Sequence, residues 1–490
     1  MVAPATNLHF VMFPAMAQGH IVPMVDTARI LAQRGATVTI ITTPLIANRV
    51  RSVISRASMT TKLKIQLLEL QLPLTEVGLP EGCESFDMLE SFESSAKLFN
   101  AIDLIEQHAE DMLRELYPPP DCIIADFFFP WATDVARRLN IPRLVFHGTG
   151  CFWLVCRQVA FTSNVLETID SDSDSFLLPG LPHRVEVTKL QFLGPSNSSM
   201  ADRNEFWFRA IKAEEAAHGI IIHTFEELEP EYVKEFTNIA NNKVWCIGPV
   251  MLCNQDVPDI AERGNKAAIN ELDCMTWLDK RKPQSVLYVC LGSLARISTQ
   301  QAIELGLGLE STGCPFIWCV SKENEELKKW FLEDGLEERV RDRGLIIHGW
   351  APQILILSHG AIGCFLTHCG WNSILESISS GVPMVTWPFF ADQFLNETFI
   401  VEILKIGVRI GVQIPVVYGE EDKVGVVVKK EDVKKAVECL MEEDEDGEER
   451  RKRGMELAKM AKIAMAEGGS SYQNVSSLIQ DITKTLGSQH

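Results

Sequence analysis

Short apolar runs alternate with amphipathic segments from the start of the chain. The run LHFVMF at 8–13 predicts a buried strand, a helix is expected from about 21 to Gly35, and ATVTIITT at 36–43 predicts a second strand. The same alternation returns in CIIADFF, WATDVARRLN and RLVFHGT. Strands that alternate with helices are typical of parallel sheets covered by helices on both faces. The first half of the chain is therefore predicted to be a doubly wound α/β domain.

The alternation lapses between residues 248 and 272, where Gly, Pro, Asn and Asp accumulate, and this composition is typical of a connection between domains. A second alternating series then runs from SVLYVCLGS through AIGCFLTH to PMVTWPFF. We predict an α/β protein with two facing Rossmann-like domains that bind ligands at the carboxyl ends of their strands. The predicted division is a first domain at 1–250, a linker at 251–272, a second domain at 273–465, and a C-terminal helix at 466–490 that packs back on the first domain.

Composition narrows the classes of ligand and partner. The 490 residues are 46% hydrophobic and 23% charged, as in ordinary globular proteins, and the formal net charge of −20 argues against nucleic acid or an anionic membrane as partner. The 13 cysteines show no short paired spacing, so neither a disulfide scaffold nor a zinc site is expected. Because there is no basic region before the first apolar run and no apolar stretch of roughly 18 residues, we expect a cytoplasmic monomer without a transmembrane segment.

The stretch HCGWNSILES, residues 368–377, places several polar side chains at the start of a predicted helix. The first amides, at Trp371, Asn372 and Ser373, have no acceptor within the helix, and together with the helix dipole they favour a phosphate. Glu376 shares a face with Asn372 about 6 Å further along the axis, where its carboxylate can accept hydrogen bonds from sugar hydroxyls. A nucleoside diphosphate fits this pattern, and so does an ordinary helix capped by Asn372 or Ser373.

The segments on either side favour the ligand. Upstream, Trp350 ends a strand and offers a flat surface for stacking a base, and downstream Asp392 and Gln393 follow a strand. The segment from Trp350 to Gln393 resembles the signature box of plant family 1 UDP-sugar glycosyltransferases. The resemblance covers most of the chain, since FPAMAQGH, CIIADF, FHGTGCF, IGPVMLCN, AERGNKA and VCLGSLA have the look of the same family.

The resemblance implies the GT-B fold, with the acceptor held by the domain at 1–250 and the UDP-sugar by the domain at 273–465. It also implies which part of the UDP-sugar each matching residue would bind. The nucleoside would be held by Trp350, Ala351, Gln353 and Glu376; the diphosphate by Ser293, His368, Asn372 and Ser373; and the sugar by Trp371, Asp392 and Gln393.

His20 and Asp126 are the candidates for catalysis. His20 is expected at a helix start with Pro23 in the first turn, where the positive helix end disfavours imidazolium and leaves a ring able to accept a proton. Asp126 ends the strand CIIAD at the carboxyl edge of the sheet, where it can orient His20 and stabilise the imidazolium. A histidine at such a position is often only a cap or a satisfied polar residue. The resemblance implies that this pair is catalytic.

These observations predict an inverting O-glucosyltransferase with His20 as general base assisted by Asp126. Gln393 favours UDP-glucose, because members of the family with glutamine at the end of the box mostly use it. The stretches AERGNKA and GPVMLCN resemble a subgroup active on triterpenoids, flavonols and plant steroid hormones, so a flavonoid, phenolic, triterpenoid or steroid hydroxyl is the expected acceptor. Its candidate contacts, which fit a hydrophobic core equally well, are Phe127, Phe128, Trp131 and Phe152. No metal or other cofactor is expected, because helix amides, His368 and Ser293 can hold UDP.

Three other chemistries do not fit the sequence. The stretch GTGCFW lacks the third glycine of a dinucleotide site, LGSLA lacks the last glycine of a hydrolase elbow, and His368 has no partner at metal-ligand spacing. Two alternatives stay open. One is a relative that forms C-glycosides or works in the direction of deglycosylation, and the other is a non-catalytic protein that binds a nucleotide sugar or metabolite.

Overall fold

The computed structural model describes residues 7–194, 200–254, 256–442 and 444–488. The chain forms two compact units. The first consists of Met1–Leu154, Asn197–Gln255 and Ala461–His490, and the second of Val155–Ser196 and Asp256–Met460.

Fifteen strands lie in the described residues. They are β1 (His9–Phe13), β2 (Thr37–Thr42), β3 (Ile65–Glu69), β4 (Cys122–Asp126), β5 (Arg143–His147), β6 (Ser175–Leu177), β7 (Glu186–Thr188), β8 (Gly219–Ile222), β9 (Lys243–Cys246), β10 (Val286–Cys290), β11 (Phe316–Val320), β12 (Gly344–His348), β13 (Ile362–Thr367), β14 (Met384–Thr386) and β15 (Gly407–Arg409).

The α-helices of the same part of the chain are α1 (Gln18–Gln33), α2 (Pro44–Thr60), α3 (Ser94–Leu104), α4 (Glu106–Glu115), α5 (Ala132–Leu139), α6 (Cys151–Thr162), α7 (Lys189–Leu193), α8 (Met200–Glu215), α9 (Pro230–Ile239), α10 (Val257–Ala261), α11 (Glu271–Asp279), α12 (Thr299–Thr312), α13 (Glu325–Asp334), α14 (Leu336–Val340), α15 (Gln353–Leu357), α16 (Trp371–Ser380), α17 (Gln393–Thr398), α18 (Glu421–Val424), α19 (Lys430–Met441), α20 (Glu445–Met465) and α21 (Ser470–Gly487). No helix among the described residues has the length and apolar character needed to cross a membrane.

The first unit contains a seven-stranded sheet in the order β3-β2-β1-β4-β5-β8-β9, and each neighbouring pair is parallel. All residues of β1 and β4 are buried, as expected for parallel strands that are covered on both faces. The strand order reverses at β1, which has β2 on one side and β4 on the other. A reversal of this kind opens a crevice at the carboxyl ends of the strands, and the segments that follow β1 and β4 therefore meet there.

The second unit repeats this construction in a six-stranded parallel sheet, in the order β12-β11-β10-β13-β14-β15. Here the order reverses at β10, between β11 and β13. The loops after β10 and β13 therefore lie side by side at the carboxyl edge. The predicted α/β class with parallel sheets is confirmed in each unit.

The last helix, α21, packs against β9 of the first unit. Asp481 bonds His218 Nε2 at 2.7 Å and Lys243 Nζ at 2.5 Å. At the other end of the helix the Arg34 guanidinium lies 3.6 Å from the ring centre of Tyr472. The C-terminal segment thus completes the first unit.

Two local features differ from the sequence-based expectations. Helix α1 begins at Gln18, so Pro23 is its sixth residue and lies beyond the first turn. Pro23 has no N–H, and the helical bond from residue 23 to the carbonyl of Gly19 cannot form. In addition, the segment Val155–Ser196 groups with the second unit, although the predicted boundary placed it in the domain at 1–250.

Candidate active site

His20 and Asp126 meet at the strand-order reversal of the first unit. His20 is the third residue of α1, just after β1, and Asp126 is the last residue of the neighbouring β4. His20 Nδ1 lies 2.7 Å from Asp126 Oδ2, and the side chains are 28% and 1% exposed, respectively. Since a carboxylate only accepts hydrogen bonds, Nδ1 carries the proton and the lone pair of the neutral ring sits on Nε2. The partly exposed ring can therefore take up a proton at Nε2.

The buried Asp126 carboxylate is held by groups of its own unit. Its Oδ1 accepts the Phe128 backbone N–H at 3.1 Å, and Arg143 Nη2 donates to the Asp126 carbonyl at 3.4 Å. Burial lowers the pKa of the Arg143 guanidinium to about 10, so Arg143 is still a cation at neutral pH. Coulomb attraction to the Asp126 carboxylate favours this cation, so the two groups stabilise each other inside the unit.

Only one of the four aromatic residues predicted as acceptor contacts, Phe128, lies beside His20. The two ring centres are 5.1 Å apart, and Phe128 is partly exposed. Phe127 and Phe152 are buried, and Trp131 is also buried, with its Nε1 donating to the Ile102 carbonyl at 2.9 Å. These three belong to the hydrophobic core. Five aromatic rings lie around Phe128, namely Phe86, Phe99, Phe127, Phe206 and Trp207.

In the second unit, helix α16 begins directly after the loop that follows β13. Its N-cap is Gly370, which has no side chain with which to cap the helix. The interpretation of Asn372 or Ser373 as an ordinary cap is therefore wrong. The first amides of a helix have no acceptor within the helix, and with the helix dipole they make the start of α16 suited to bind an anion.

His368 lies against this helix start. Its ring sits between Gly292 and Gly370, where an added Cβ would come within 2.5 Å and 2.3 Å of ring atoms, respectively. Burial lowers the pKa of His368 to about 4, so the ring is neutral at physiological pH. Its buried Nδ1 has no hydrogen-bond partner among the described residues. A neutral imidazole in this position can donate one N–H to a phosphate oxygen without a positive charge.

Glu376 lies in the second turn of α16, in a network of largely buried polar groups. Arg263 Nη1 donates to Glu376 Oε1, and Gln353 Nε2 donates to Oε2 at 2.7 Å. Gln353 Nε2 also donates to Ser373 Oγ at 3.0 Å, and its Oε1 accepts from Tyr288 OH at 3.2 Å. The carboxylate, the amide and the Ser373 hydroxyl are therefore held together on one side of the helix start.

The remaining donor candidates lie on loops at the same edge of the sheet. Trp350 follows β12 and is partly exposed, whereas Ala351 is buried. Ser293 follows β10 next to Gly292, whose φ of +79° favours glycine. Trp371 is buried at the first position of α16. Ser293 thus follows a strand that neighbours β13, whereas β11 and β10 lie between β13 and the strand that precedes Trp350.

Asp392 and Gln393 begin helix α17. Gln393 Oε1 accepts the backbone N–H groups of Phe389 and Phe390 at 2.8 and 3.3 Å. Because two N–H donors fix the amide oxygen, Nε2 is the atom with which Gln393 can donate to a ligand. Asp392 Oδ2 accepts from Asn396 Nδ2 at 2.8 Å, and the same amide donates to the Cys369 carbonyl at 2.9 Å. Asn396 thus ties Asp392 to the loop that carries His368.

The sequence analysis missed Arg143, Arg263, Tyr288 and Asn396. Arg263 stands in the stretch AERGNKA, which carries part of the family resemblance and lies in the predicted linker at 251–272, and none of its residues was assigned a role in the site. No group of three or more His, Cys, Asp or Glu side chains among the described residues is arranged to hold a metal ion.

The chain is similar to known proteins over its whole length. A profile of the family described as UDP-glucoronosyl and UDP-glucosyl transferase matches residues 195–441. UDP-glycosyltransferase 73E1 of Stevia rebaudiana is 71% identical over 493 aligned positions, which cover 100% of this chain and 99% of that protein.

Solved structures agree. UGT73P12 of Glycyrrhiza uralensis, complexed with glycyrrhetinic acid 3-O-monoglucuronide, has a TM-score of 0.88 and 35% identity, covering 99% of this chain and 97% of that one. UGT71G1 of Medicago truncatula, complexed with UDP-glucose, has a TM-score of 0.77 and 25% identity, covering 99% and 100% of the two chains. The fold class predicted from the resemblance, GT-B, is confirmed.

Proposed function

Since this chain belongs to the plant UDP-glycosyltransferase family, we propose that it transfers glucose from UDP-glucose to a hydroxyl oxygen of a small apolar metabolite, with inversion at the anomeric carbon. The observation that carries this proposal is the 2.7 Å contact between His20 Nδ1 and Asp126 Oδ2. It leaves Nε2 of a partly exposed histidine as a base beside an aromatic surface.

In the proposed step the acceptor oxygen attacks C1 of glucose from the face opposite UDP. The bond from C1 to the phosphate oxygen breaks, its electron pair leaves with UDP, and the acceptor proton goes to His20 Nε2. Asp126 stabilises the imidazolium that forms, as in a serine-protease triad without the serine. A base of this kind typically accelerates a reaction by about 10²- to 10⁴-fold.

The second unit supports donor binding. The start of α16, with glycine as its N-cap, and the neutral His368 suit the diphosphate, and Glu376 with Gln353 suits the ribose. Trp350 offers a partly exposed ring for uracil. Since helix amides and neutral donors can stabilise the leaving UDP, we propose that no metal is required, and a chelator should leave the rate unchanged.

The choice of glucose rests on Gln393, whose amide oxygen is held by two backbone N–H groups, so that Nε2 is the atom that can donate to a sugar hydroxyl. The Medicago neighbour was solved with UDP-glucose, which supports the same donor. A site built to bond a hydroxyl discriminates strongly between sugars, although one residue seldom decides alone. UDP-galactose and UDP-glucuronate are therefore expected to be poorer donors.

For the acceptor we propose a flat apolar alcohol of the flavonoid, phenolic, triterpenoid or steroid class. The support is the ring cluster around Phe128, next to His20. The Glycyrrhiza neighbour holds an O-linked glucuronide of glycyrrhetinic acid, which supports an O-linked product on an apolar skeleton.

Purified protein incubated with UDP-glucose and a panel of such alcohols tests the function. The expected result is acceptor-dependent release of UDP and a product heavier by one hexose, which acid converts back to the acceptor. An acid-resistant hexoside would indicate C-glycosylation instead. If UDP-glucose binds but no acceptor on the panel is glycosylated, the proposed acceptor class is wrong.

A further inference from the structure

Arg263 pairs with the carboxylate that the family resemblance assigns to the ribose, and this pairing goes beyond the proposed roles. Arg263 Nη1 donates to Glu376 Oε1, and the two side chains are only 9% and 6% exposed. The partners are 113 positions apart in the chain. An ion pair that is this well shielded from water keeps most of its Coulomb attraction, unlike a surface pair. It therefore fixes the position of the carboxylate.

The segment that carries Arg263 is built into the second unit at several points. Helix α10, Val257–Ala261, packs against α15. Ala268 N–H donates to the Trp350 carbonyl at 2.8 Å, and the Ala268 Cβ lies where a side chain on Gly349 would clash, at 2.9 Å. Residues 257–268 thus form a wall beside Trp350 and Glu376.

The hydrogen-bonding capacity of Glu376 determines whether it can bind a ribose while it is paired with Arg263. An ionised carboxylate offers about four lone-pair sites on its two oxygens. Arg263 uses one on Oε1 and Gln353 uses one on Oε2. About one site remains on each oxygen, and a ribose presents two neighbouring hydroxyls, at C2′ and C3′. The ion pair therefore aligns Glu376 for a ribose and does not saturate it.

We propose that Arg263 is a positioning residue of the donor site, which holds the Glu376 carboxylate oriented so that both ribose hydroxyls of the UDP moiety can bond to it. The inference rests on the proposed donor site. It predicts that Arg263 contributes to donor affinity and to discrimination between ribose and 2′-deoxyribose, although it needs no contact with the acceptor or the base.

Arg263 could also act in the opposite way, by competing with UDP for Glu376, and the experiment must distinguish the two roles. If Arg263 merely occupied Glu376 in the absence of donor, UDP would have to displace it, and removing Arg263 would then strengthen binding. If Arg263 aligns Glu376, removing it leaves a buried carboxylate with one fewer donor, and UDP binds more weakly. The two roles thus differ in the sign of the change.

Titration calorimetry with UDP and 2′-deoxy-UDP on the full chain distinguishes these outcomes. For Arg263→Met we expect a Kd for UDP that is higher by on the order of tenfold to a hundredfold, and a smaller preference for UDP over 2′-deoxy-UDP. Glu376→Gln should show the same pattern, and the double variant should lose little more than either single one, because both act through one interaction. Arg339→Met is the matched control. It breaks the ion pair with Glu310 elsewhere in the unit and should leave both affinities unchanged.

Three results would overturn the inference. Tighter or equal UDP binding by Arg263→Met, with normal binding by the wild type, contradicts the positioning role alone. Additive losses in the double variant contradict it as well. A wild-type protein that fails to bind UDP contradicts the proposed donor site itself. Should Arg263→Met not fold, Arg263→Lys keeps the charge without the guanidinium fork and should show a weaker preference for UDP over 2′-deoxy-UDP; an unchanged preference would count against the inference.

Discussion

His20 and Asp126 are 106 positions apart in the chain and still meet, because His20 follows β1 and Asp126 ends the neighbouring parallel strand β4. Since the carboxyl ends of neighbouring parallel strands lie at one edge of the sheet, their proximity could be predicted from the sequence. The aromatic residues were not predictable in the same way, since Phe127 and Phe128 look alike in sequence and only packing decides which ring is buried. The Arg263–Glu376 pair was missed because Arg263 lies in a loop, and the order of the strands does not indicate which helix a loop residue contacts.

His20→Ala should lower kcat by about 10²- to 10⁴-fold, because the acceptor proton loses its base. The Kd for UDP should stay within about twofold, since His20 belongs to the first unit and the proposed donor residues to the second. Steady-state kinetics and calorimetry measure the two effects separately. His108→Ala, an exposed histidine of α4, is the control and should retain full activity. Near-normal turnover in the His20 variant would rule out the proposed base.

Gly370→Ala should weaken UDP binding by at least about tenfold. Its φ of −67° suits alanine, so the effect is steric: the new methyl would lie 2.3 Å from His368 Nε2 and push the ring out of place. Gly360→Ala is the matched control, because an added Cβ there meets nothing within 4 Å. Calorimetry with UDP checks both variants. Equal affinities would mean that the position of His368 has no bearing on the diphosphate.

At the scale of elements, the apolar alternation predicted β1, β2, β4 and β5 of the first sheet and β10 to β14 of the second, because parallel strands are buried on both faces. It did not predict β3, β8, β9 or β15. Helix limits were less predictable. Helix α1 starts at Gln18 and continues through Pro23, since tertiary packing overrides the cost of an internal proline. The stretch at 251–272 looked like a linker because Gly, Pro, Asn and Asp accumulate over residues 248–272, although residues 257–268 pack on Trp350 and α15.

Helix α6 begins on a buried carboxylate, which gives the fold a pH dependence. Glu229 accepts the backbone N–H groups of Cys151 and Phe152 at 2.9 and 2.6 Å. Burial raises the pKa of Glu229 to about 7, from an ordinary value of 4.5. The folded protein therefore binds a proton at the Glu229 carboxyl more tightly than the unfolded chain does. The resulting stabilisation is fully present below pH 4.5 and is lost as the pH rises towards 7.

Glu229→Gln cannot ionise and should lack this dependence. The free energy of unfolding of the wild type, relative to the variant, should fall by up to about 3 kcal/mol between pH 4.5 and 7. Urea unfolding of both proteins at several pH values measures the difference, in which contributions from other titrating groups cancel. A difference that stays constant with pH would contradict the raised pKa.

At the scale of the whole chain, the sequence predicted two α/β halves and a final helix, and the pattern could not show that Val155–Ser196 groups with the second unit. This segment holds only short elements, among them β6 and β7, and its periodicity is too brief to indicate a partner. Helix α21 is clearer, because its apolar side chains recur at helical spacing.

Deleting residues 470–490 should unfold or severely destabilise the first unit. The buried side chains lost are Val475, Leu478, Ile479 and Ile482. Each contributes roughly 1.5–3 kcal/mol, and their sum is comparable to the whole stability of a typical domain, about 5–15 kcal/mol. A chain that ends at Gly487 keeps α21 and should melt like the wild type. Thermal unfolding followed by circular dichroism makes the comparison, and an unchanged melt of the longer deletion would contradict the structural role of α21.

A proton NMR spectrum of the product formed from UDP-glucose tests whether glucose is transferred to oxygen with inversion. The donor carries glucose in the α configuration, so attack from the opposite face should give a β-glucoside with a large coupling between H1 and H2. The carbon–proton correlations should place C1 on an acceptor oxygen. An α-glucoside would contradict inversion, and glucose joined to carbon would contradict transfer to oxygen.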